Sequence, residues 1–256
     1  MGSSSSAPSH VADVAIVVPC YNEAQRLTPA LFQRFAEHEP SVRFVFVDDG
    51  STDATSVMLA ELCASNPARF ELASLERNVG QGEAVRAGMA HALASGARYV
   101  GYWDADLATP LEEIPRFARV LDQAPGCLLV LGSRVPHPSN RVQRHPLRFA
   151  LGRAFAWAAA SLLRMRVYDT QCGAKLFRRT PEVSTLFANA FISRWIFDVE
   201  ILVRLIRLRG SVHAARASMH ELPLQTWSDV AGSKLTPLDF ARAPWELLKI
   251  GIQLYR

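Results

Sequence analysis

The sequence is short of several things, and each shortage removes a class of protein. Its 256 residues hold only four cysteines, Cys20, Cys63, Cys127 and Cys172, none in CxxC spacing. Neither a zinc site nor a disulfide framework is indicated, and a reduced, cytosolic chain is the expectation. No stretch reaches the roughly 18 to 20 apolar residues that a spanning helix needs. The nearest, Ala154 to Leu163, is bracketed by Arg153 and Arg164 and is long enough only to lie in an interface. The opening MGSSSSAPSH lacks the charged and apolar regions of a signal peptide, and residues 1–12 are expected to be disordered. The first apolar run leads into PCYNEA instead of GxGxxG, which excludes a dinucleotide-binding dehydrogenase, and no Walker lysine follows Gly80 and Gly82. Lys and Arg total 28 against 24 Asp and Glu, a net charge of +4. That excess suits phosphate-bearing ligands or an anionic membrane face and does not indicate nucleic acid.

What is present is a rhythm. Val14 to Val18 reads as a buried strand stopped by Pro19, and Leu27 to Glu37 has helical spacing. Phe44 to Val47 is a second strand, running into Asp48-Asp49-Gly50-Ser51-Thr52-Asp53, where Ser51, Thr52 or Asp53 can cap a helix to about Ala64. Phe70 to Leu75, a helix from Glu83 to about Ala94, and the strand Arg98 to Trp103 continue it. Alternation of this kind argues for an α/β fold with a parallel sheet and right-handed crossovers. Beyond residue 110 the pattern loosens: a helix over Ile114 to Leu121, a strand over Leu128 to Leu131, and a long helical, arginine-studded segment from Arg141 to Arg166. Strand-like Lys175 to Phe177, a helix near Phe197 to Leu208, an edge-like His220 to Gln225 and a terminal helix from about Leu238 follow. With no repeat and no long linker, residues 13–256 are expected to form a single domain.

Four loops follow four strands: Pro19 to Glu23, Asp48 to Ser51, Asn78 to Gly82, and Asp104-Ala105-Asp106. Parallel strands end on one edge, so these loops should meet in one crevice. Two carboxylates at i and i+2 can share one hard divalent cation, with diphosphate oxygens completing its sphere. Asp49 can accept from a ring N–H of a nucleobase, although an ordinary Asp-Gly turn reads the same way. Gly80 and Gly82, ahead of a helix, can bring backbone N–H groups near a phosphate, or they are simply turn glycines.

Read in order, VVPCYNEAQRL, VDDGSTDAT, NVGQGEAVRAGM, YWDADLAT and GSR resemble the inverting family 2 glycosyltransferases of the GT-A fold. DTQCGAKLF, RWIFDVEIL and WSDVAGSKL narrow the resemblance to the branch of the dolichyl-phosphate β-glucosyltransferases, from Asp13 to the C-terminus. The resemblance implies a Rossmann-like, mostly parallel sheet flanked by helices, with C-terminal interfacial or packing helices. It implies that Pro19, Tyr21, Glu23 and Asp49 hold the base and ribose of a nucleotide sugar, UDP-glucose being favoured, and that Asp104 and Asp106 bind Mg²⁺ or Mn²⁺ on its diphosphate. Arg134, Arg148 and Lys234 would contact phosphates, and Asp198 stands where many members keep a catalytic base. Asp198 reads equally as a first-turn helix residue favoured by the dipole. Two positions depart from relatives: Ala108 stands where mannosyltransferases often have a metal-completing Gln, and Gln81 where the family usually has Lys.

A polyprenyl phosphate acceptor is already ionised near neutral pH and needs no base, so Asp198 could orient instead of removing a proton. The segment Arg141 to Arg166 and the ending PWELLKIGIQLYR, with Trp157, Trp245 and Tyr255 flanked by basic residues, fit either interfacial helices or packed helices with solvated faces. The expectation is metal-dependent transfer of glucose, with inversion, to a polyprenyl phosphate by a protein peripheral on the cytoplasmic face of a membrane. The alternatives are a GDP-mannose enzyme with the same acceptor and a soluble transferase acting on a small-molecule hydroxyl, for which Asp198 would be a true base. A non-catalytic nucleotide-sugar binding protein is a third, disfavoured by the intact DAD and Asp198. The C-terminal helix can pair two subunits in a homo-oligomer as easily as touch lipid.

Overall fold

The computed structural model describes residues 13–135, 141–143, 146–228, 230 and 237–254. The expected disordered segment 1–12 and Lys234 lie outside the described residues, and for Arg148 only the backbone is described. Strands β1 (Val14–Cys20), β2 (Val42–Asp48), β3 (Phe70–Ser74) and β4 (Tyr99–Trp103) alternate with helices α1 (Pro29–His38), α2 (Thr55–Ser65) and α3 (Gln81–Ala94). All three pairings among these strands are parallel, in the order β3-β2-β1-β4. Apolar residues on β1 serve both faces. Val14, Ile16 and Val18 pack with α1, α2 and their aromatic cluster of Phe32, Phe44, Phe46 and Phe70. Ala15 and Val17 pack against α3 on the other side. A strand buried on both faces is what continuous apolar runs specify.

The second half adds α4 (Ile114–Gln123), β5 (Leu129–Ser133), β6 (Arg141–Gln143), α5 (Pro146–Leu163), β7 (Ala174–Arg178), α6 (Pro181–Leu186), α7 (Phe197–Arg209), α8 (Val212–Ala217), β8 (Met219–Pro223), β9 (Thr226–Ser228) and α9 (Pro237–Leu254). The sheet continues β4-β7-β5-β8, with β7 antiparallel to both neighbours and β8 parallel to β5 at the edge. Helix α7 carries Asp198 and Glu200 in its first turn, Arg207 and Arg209 in its last, and stops at Gly210 with φ 75°. That charge order complements the helix dipole, and a left-handed glycine is a common helix terminator.

One expected element changes. The segment Arg141 to Arg166 is not continuously helical: Arg141–Gln143 form β6, which pairs in parallel with β9, and the helix begins at Pro146. Pairing with a distant strand overrides local helical periodicity there. The antiparallel direction of β7 matters most for function. Its register sets Ala174 opposite Trp103 and Lys175 opposite Leu131, so its N-terminal end meets the C-terminal ends of β4 and β5. The loop entering β7 therefore lies beside Asp104 to Asp106.

Candidate active site

The strand-end loops converge as the parallel topology requires. The Asp104 backbone N–H donates to the Gly173 carbonyl at 3.1 Å, and a Cβ on Gly173 would fall 1.7 Å from Asp104 Oδ2. Only glycine lets the loop before β7 lie across this carboxylate. Asp104 Oδ1 accepts from Gln81 Nε2 at 3.0 Å. Asp106 turns its Oδ1 to the Ala108 N–H at 3.1 Å and its Oδ2 to Arg26 Nη1 at 3.3 Å. Burial, then the neighbouring Asp106 and Asp198 charges, push the Asp104 carboxyl up to about 7 against the pull of Arg134 and Lys175.

A second group lies below. Lys175, wholly buried, donates to the Thr170 carbonyl at 3.1 Å, the Cys172 carbonyl at 2.7 Å and Asp198 Oδ1 at 2.7 Å. All three ammonium protons are placed. The same Asp198 oxygen accepts from the Tyr102 hydroxyl. Burial raises the Asp198 carboxyl above its ordinary range, opposed by Lys175 and Tyr102.

Arg134, just after β5, is held in a fork by Asp169: Nε to Oδ2 at 2.5 Å and Nη2 to Oδ1 at 2.7 Å. Its guanidinium carbon lies 5.4 Å from the centre of the Trp227 ring. Glu221 on β8 fixes the loop from outside, accepting from the Tyr168 and Asp169 N–H groups at 3.0 and 2.8 Å.

In the nucleotide loops the glycines follow the turn reading, and Asp49 gains a second task. The Gly80 N–H donates to Asp49 Oδ2 at 2.9 Å and the Gly82 N–H to the Arg194 carbonyl at 2.9 Å, so neither is available to a phosphate. Gly80 instead supplies a φ of 100°, and any side chain there would strike Arg194. Asp49 also accepts from Val79 N–H at 2.7 Å and Asn78 Nδ2 at 2.9 Å. A carboxylate offers about four lone-pair positions, so its main contact is with the loop it clamps, and one position remains for a base.

Pro19, Tyr21, Glu23, Asp49, Gly80, Asp104, Asp106, Arg134 and Asp198 all line one cavity of about 1130 Å³, whereas Gly82 does not. Sequence reasoning missed several other lining residues, among them Arg26, Arg153, Arg194 and Arg242. It also gave no role to Lys175, although a lysine in the buried run AKLFR is itself a signal, since lysine is almost never fully buried unpaired. Arg26 announces itself only as a basic residue three after Glu23, too common a spacing to select. Beyond the charged floor the cavity becomes apolar, passing between α5 and α9 along Phe155, Ala158, Leu162, Trp195, Pro244 and Leu247.

Among the described residues no group of three or more His, Cys, Asp or Glu side chains is placed to hold a metal ion. Asp104 and Asp106 offer two hard oxygen donors, and their repulsion, which adds to burial in raising the Asp104 carboxyl, is what a divalent cation would offset. Mg²⁺ and Mn²⁺ are commonly held by one or two carboxylates together with substrate phosphates, and the pair fits that pattern.

Residues 15–188 match the family described as Glycosyl transferase family 2. The chain is 32% identical over 257 residues to the dolichyl-phosphate beta-glucosyltransferase of Drosophila melanogaster, covering 95% of this chain and 73% of that one. It is 31% identical over 248 residues to dolichyl-phosphate beta-glucosyltransferase ALG5C of Trichomonas vaginalis, covering 92% and 70%. Among solved structures, glucosyl-3-phosphoglycerate synthase from Mycobacterium tuberculosis, in complex with Mn²⁺, UDP-glucose and phosphoglyceric acid, superposes with a TM-score of 0.67 at 18% identity, covering 93% of this chain and 79% of that one. The sheet order and this likeness identify the fold as GT-A.

Proposed function

The chain belongs to glycosyltransferase family 2, and on that premise we propose that it transfers glucose, with inversion, from UDP-glucose to a polyprenyl phosphate of the dolichyl type. One observation carries the acceptor: the cavity joins a charged floor to an apolar gallery between α5 and α9. A polyprenyl phosphate has that division, an ionised head and a hydrocarbon tail, and a small polar acceptor has no use for the gallery. The relatives named for glucose transfer to dolichyl phosphate support the same reading, and residues 13–256 are taken as one catalytic domain.

The residues act by holding and positioning. Pro19, Tyr21 and Glu23 face the nucleotide end of the cavity, Asp49 fixes the loop above it, and Arg134, oriented by Asp169, faces the phosphates. Asp104 and Asp106 would hold a Mg²⁺ or Mn²⁺ ion, which when bound would supply charge neutralisation for the diphosphate leaving group. An acceptor phosphate oxygen attacks the anomeric carbon in line, forming the new C–O bond as the bond to the diphosphate breaks and UDP leaves with the electron pair. No proton needs removing, because the phosphate is already ionised. Asp198 suits this route: bound to Lys175 and Tyr102, it is a fixed charge that orients its neighbours. Lys234 and Arg148 remain candidates for the acceptor phosphate. Orientation and fixed charge supply most of the rate.

Attachment to a membrane would be peripheral. Among the described residues no helix is long and apolar enough to cross one, yet α5 and α9 expose Trp157 at 73%, Trp245 at 60%, Leu248 and Ile252. Large aromatics beside basic residues such as Lys249, 5.5 Å from the Trp245 ring, are what interfacial helices present. The four cysteines form no disulfide among the described residues, which suits a reducing compartment, and the reading sets the protein on the cytoplasmic face. The test is glucosyl transfer from UDP-glucose, with GDP-mannose as the competing donor and phosphoglycerate and a polyprenyl phosphate as competing acceptors. Turnover requiring UDP-glucose and the polyprenyl phosphate is expected; efficient transfer to phosphoglycerate, with none to the lipid, would overturn the reading.

A further inference from the structure

Both carboxylates of the Asp104-Ala105-Asp106 turn already touch protein donors, and the donors differ in charge. Asp104 meets the neutral amide of Gln81, whereas Asp106 meets the guanidinium of Arg26. Arg26 is held from behind by Glu23, through Nε to Oε2 at 2.8 Å and Nη2 to Oε1 at 2.6 Å, leaving Nη1 for Asp106. Its side chain is 16% exposed and that of Asp106 19%, so the contact sits at the cavity wall within reach of entering ions.

We infer that Arg26 is the resident counter-ion of the Asp104–Asp106 pair, and that a divalent cation must displace its Nη1 from Asp106 Oδ2 to bind. The displacement is local. Arg26 keeps its two-point hold on Glu23 and gives up the longest of its three contacts, so the guanidinium need not leave the site. A cation arriving alone meets a positive charge at one of its two ligands, whereas one arriving with a diphosphate brings oxygen ligands and negative charge that favour the exchange. Arg26 thereby orders loading, with metal following or accompanying the sugar nucleotide. This inference rests on the reading of Asp104 and Asp106 as the metal pair and extends it to the cation beside them.

The experiment measures Mn²⁺ binding to the full chain without nucleotide, counting free Mn²⁺ by electron paramagnetic resonance, with circular dichroism to check folding. Arg26→Gln should tighten binding by about tenfold, the scale on which one nearby cation opposes another in a partly buried setting. The double variant Glu23→Gln with Arg26→Gln should keep that gain. Unchanged or weaker binding in Arg26→Gln would overturn the inference. A gain that vanishes in the double variant would overturn it too, because the freed Glu23 would then be the new ligand. Asp106→Asn is the control on the premise: if it leaves Mn²⁺ binding intact in every background, the metal pair itself is misassigned, a result distinct from a silent Arg26.

Discussion

At the floor of the cavity Asp49, Asp104, Asp106, Arg134 and Asp198 are each fixed by at least one protein partner, while along the gallery α5 and α9 present mainly apolar side chains such as Phe155, Ala158, Leu162 and Leu247. The floor is attached to strand ends whose register leaves little freedom. The gallery is a gap between two helices that touch where Leu162 meets Gly251. The difference separates two demands: leaving-group chemistry tolerates little displacement, and a long flexible hydrocarbon needs room more than shape. It also says which changes should abolish turnover and which should only alter what is turned over.

The sharpest break is at the floor. Asp106→Ala should lower glucosyl transfer by about 10³-fold, the scale of losing a principal electrostatic contributor, while binding of a fluorescent polyprenyl phosphate stays near wild type; loss of both activities would mean that the two ends are not separable. Next is Lys175→Met, which leaves Asp198 buried without its cation and should cost about 3 to 5 kcal/mol of stability in urea unfolding. Stability within 1 kcal/mol of wild type, judged against the typical effect of a surface change, would show that Asp198 is neutral or reaches water. At the other end, Ala158→Phe should narrow the gallery and raise KM for a long-chain acceptor about tenfold, what losing one or two buried methylene contacts at ~0.8 kcal/mol each produces. Its kcat and its KM for UDP-glucose should hold. The smallest effect belongs outside the cavity: replacing Trp157 and Trp245 together by Ala should reduce partition onto anionic vesicles several-fold with transfer to a detergent-dispersed acceptor unchanged.

Legibility in the sequence follows the same division. The parallel half was readable because β1, the core of β2 and β4 are apolar runs ending in polar loops, and the convergence of Pro19, Asp49, Asp104 and their neighbours follows from strand direction alone. The fork between Arg134 and Asp169 was not readable, since the two meet only when β7 enters between β4 and β5, and nothing local in DTQCGAKLF sets that direction. The glycine loop failed for a different reason: its spacing suits phosphate binding or a tight approach equally, and only the distant Asp49 and Arg194 that engage the Gly80 and Gly82 N–H groups, with the atoms packed against them, decide between the two. Short β6 was hidden by helical periodicity, because its partner β9 lies far along the chain.

The position of β7 has a consequence in time as well as in space. This strand must be inserted between β4 and β5, long after β4 has been synthesised, and closing so distant a contact is slow. Until then Asp104 lacks Gly173 across it, Asp198 lacks Lys175, and Arg134 lacks Asp169. The first four strands supply Asp49, Asp104 and Asp106, whereas Asp169, Gly173 and Lys175 come with the segment that ends at Arg178, and Arg194 and Asp198 with the helix that begins at Phe197 and the residues just before it.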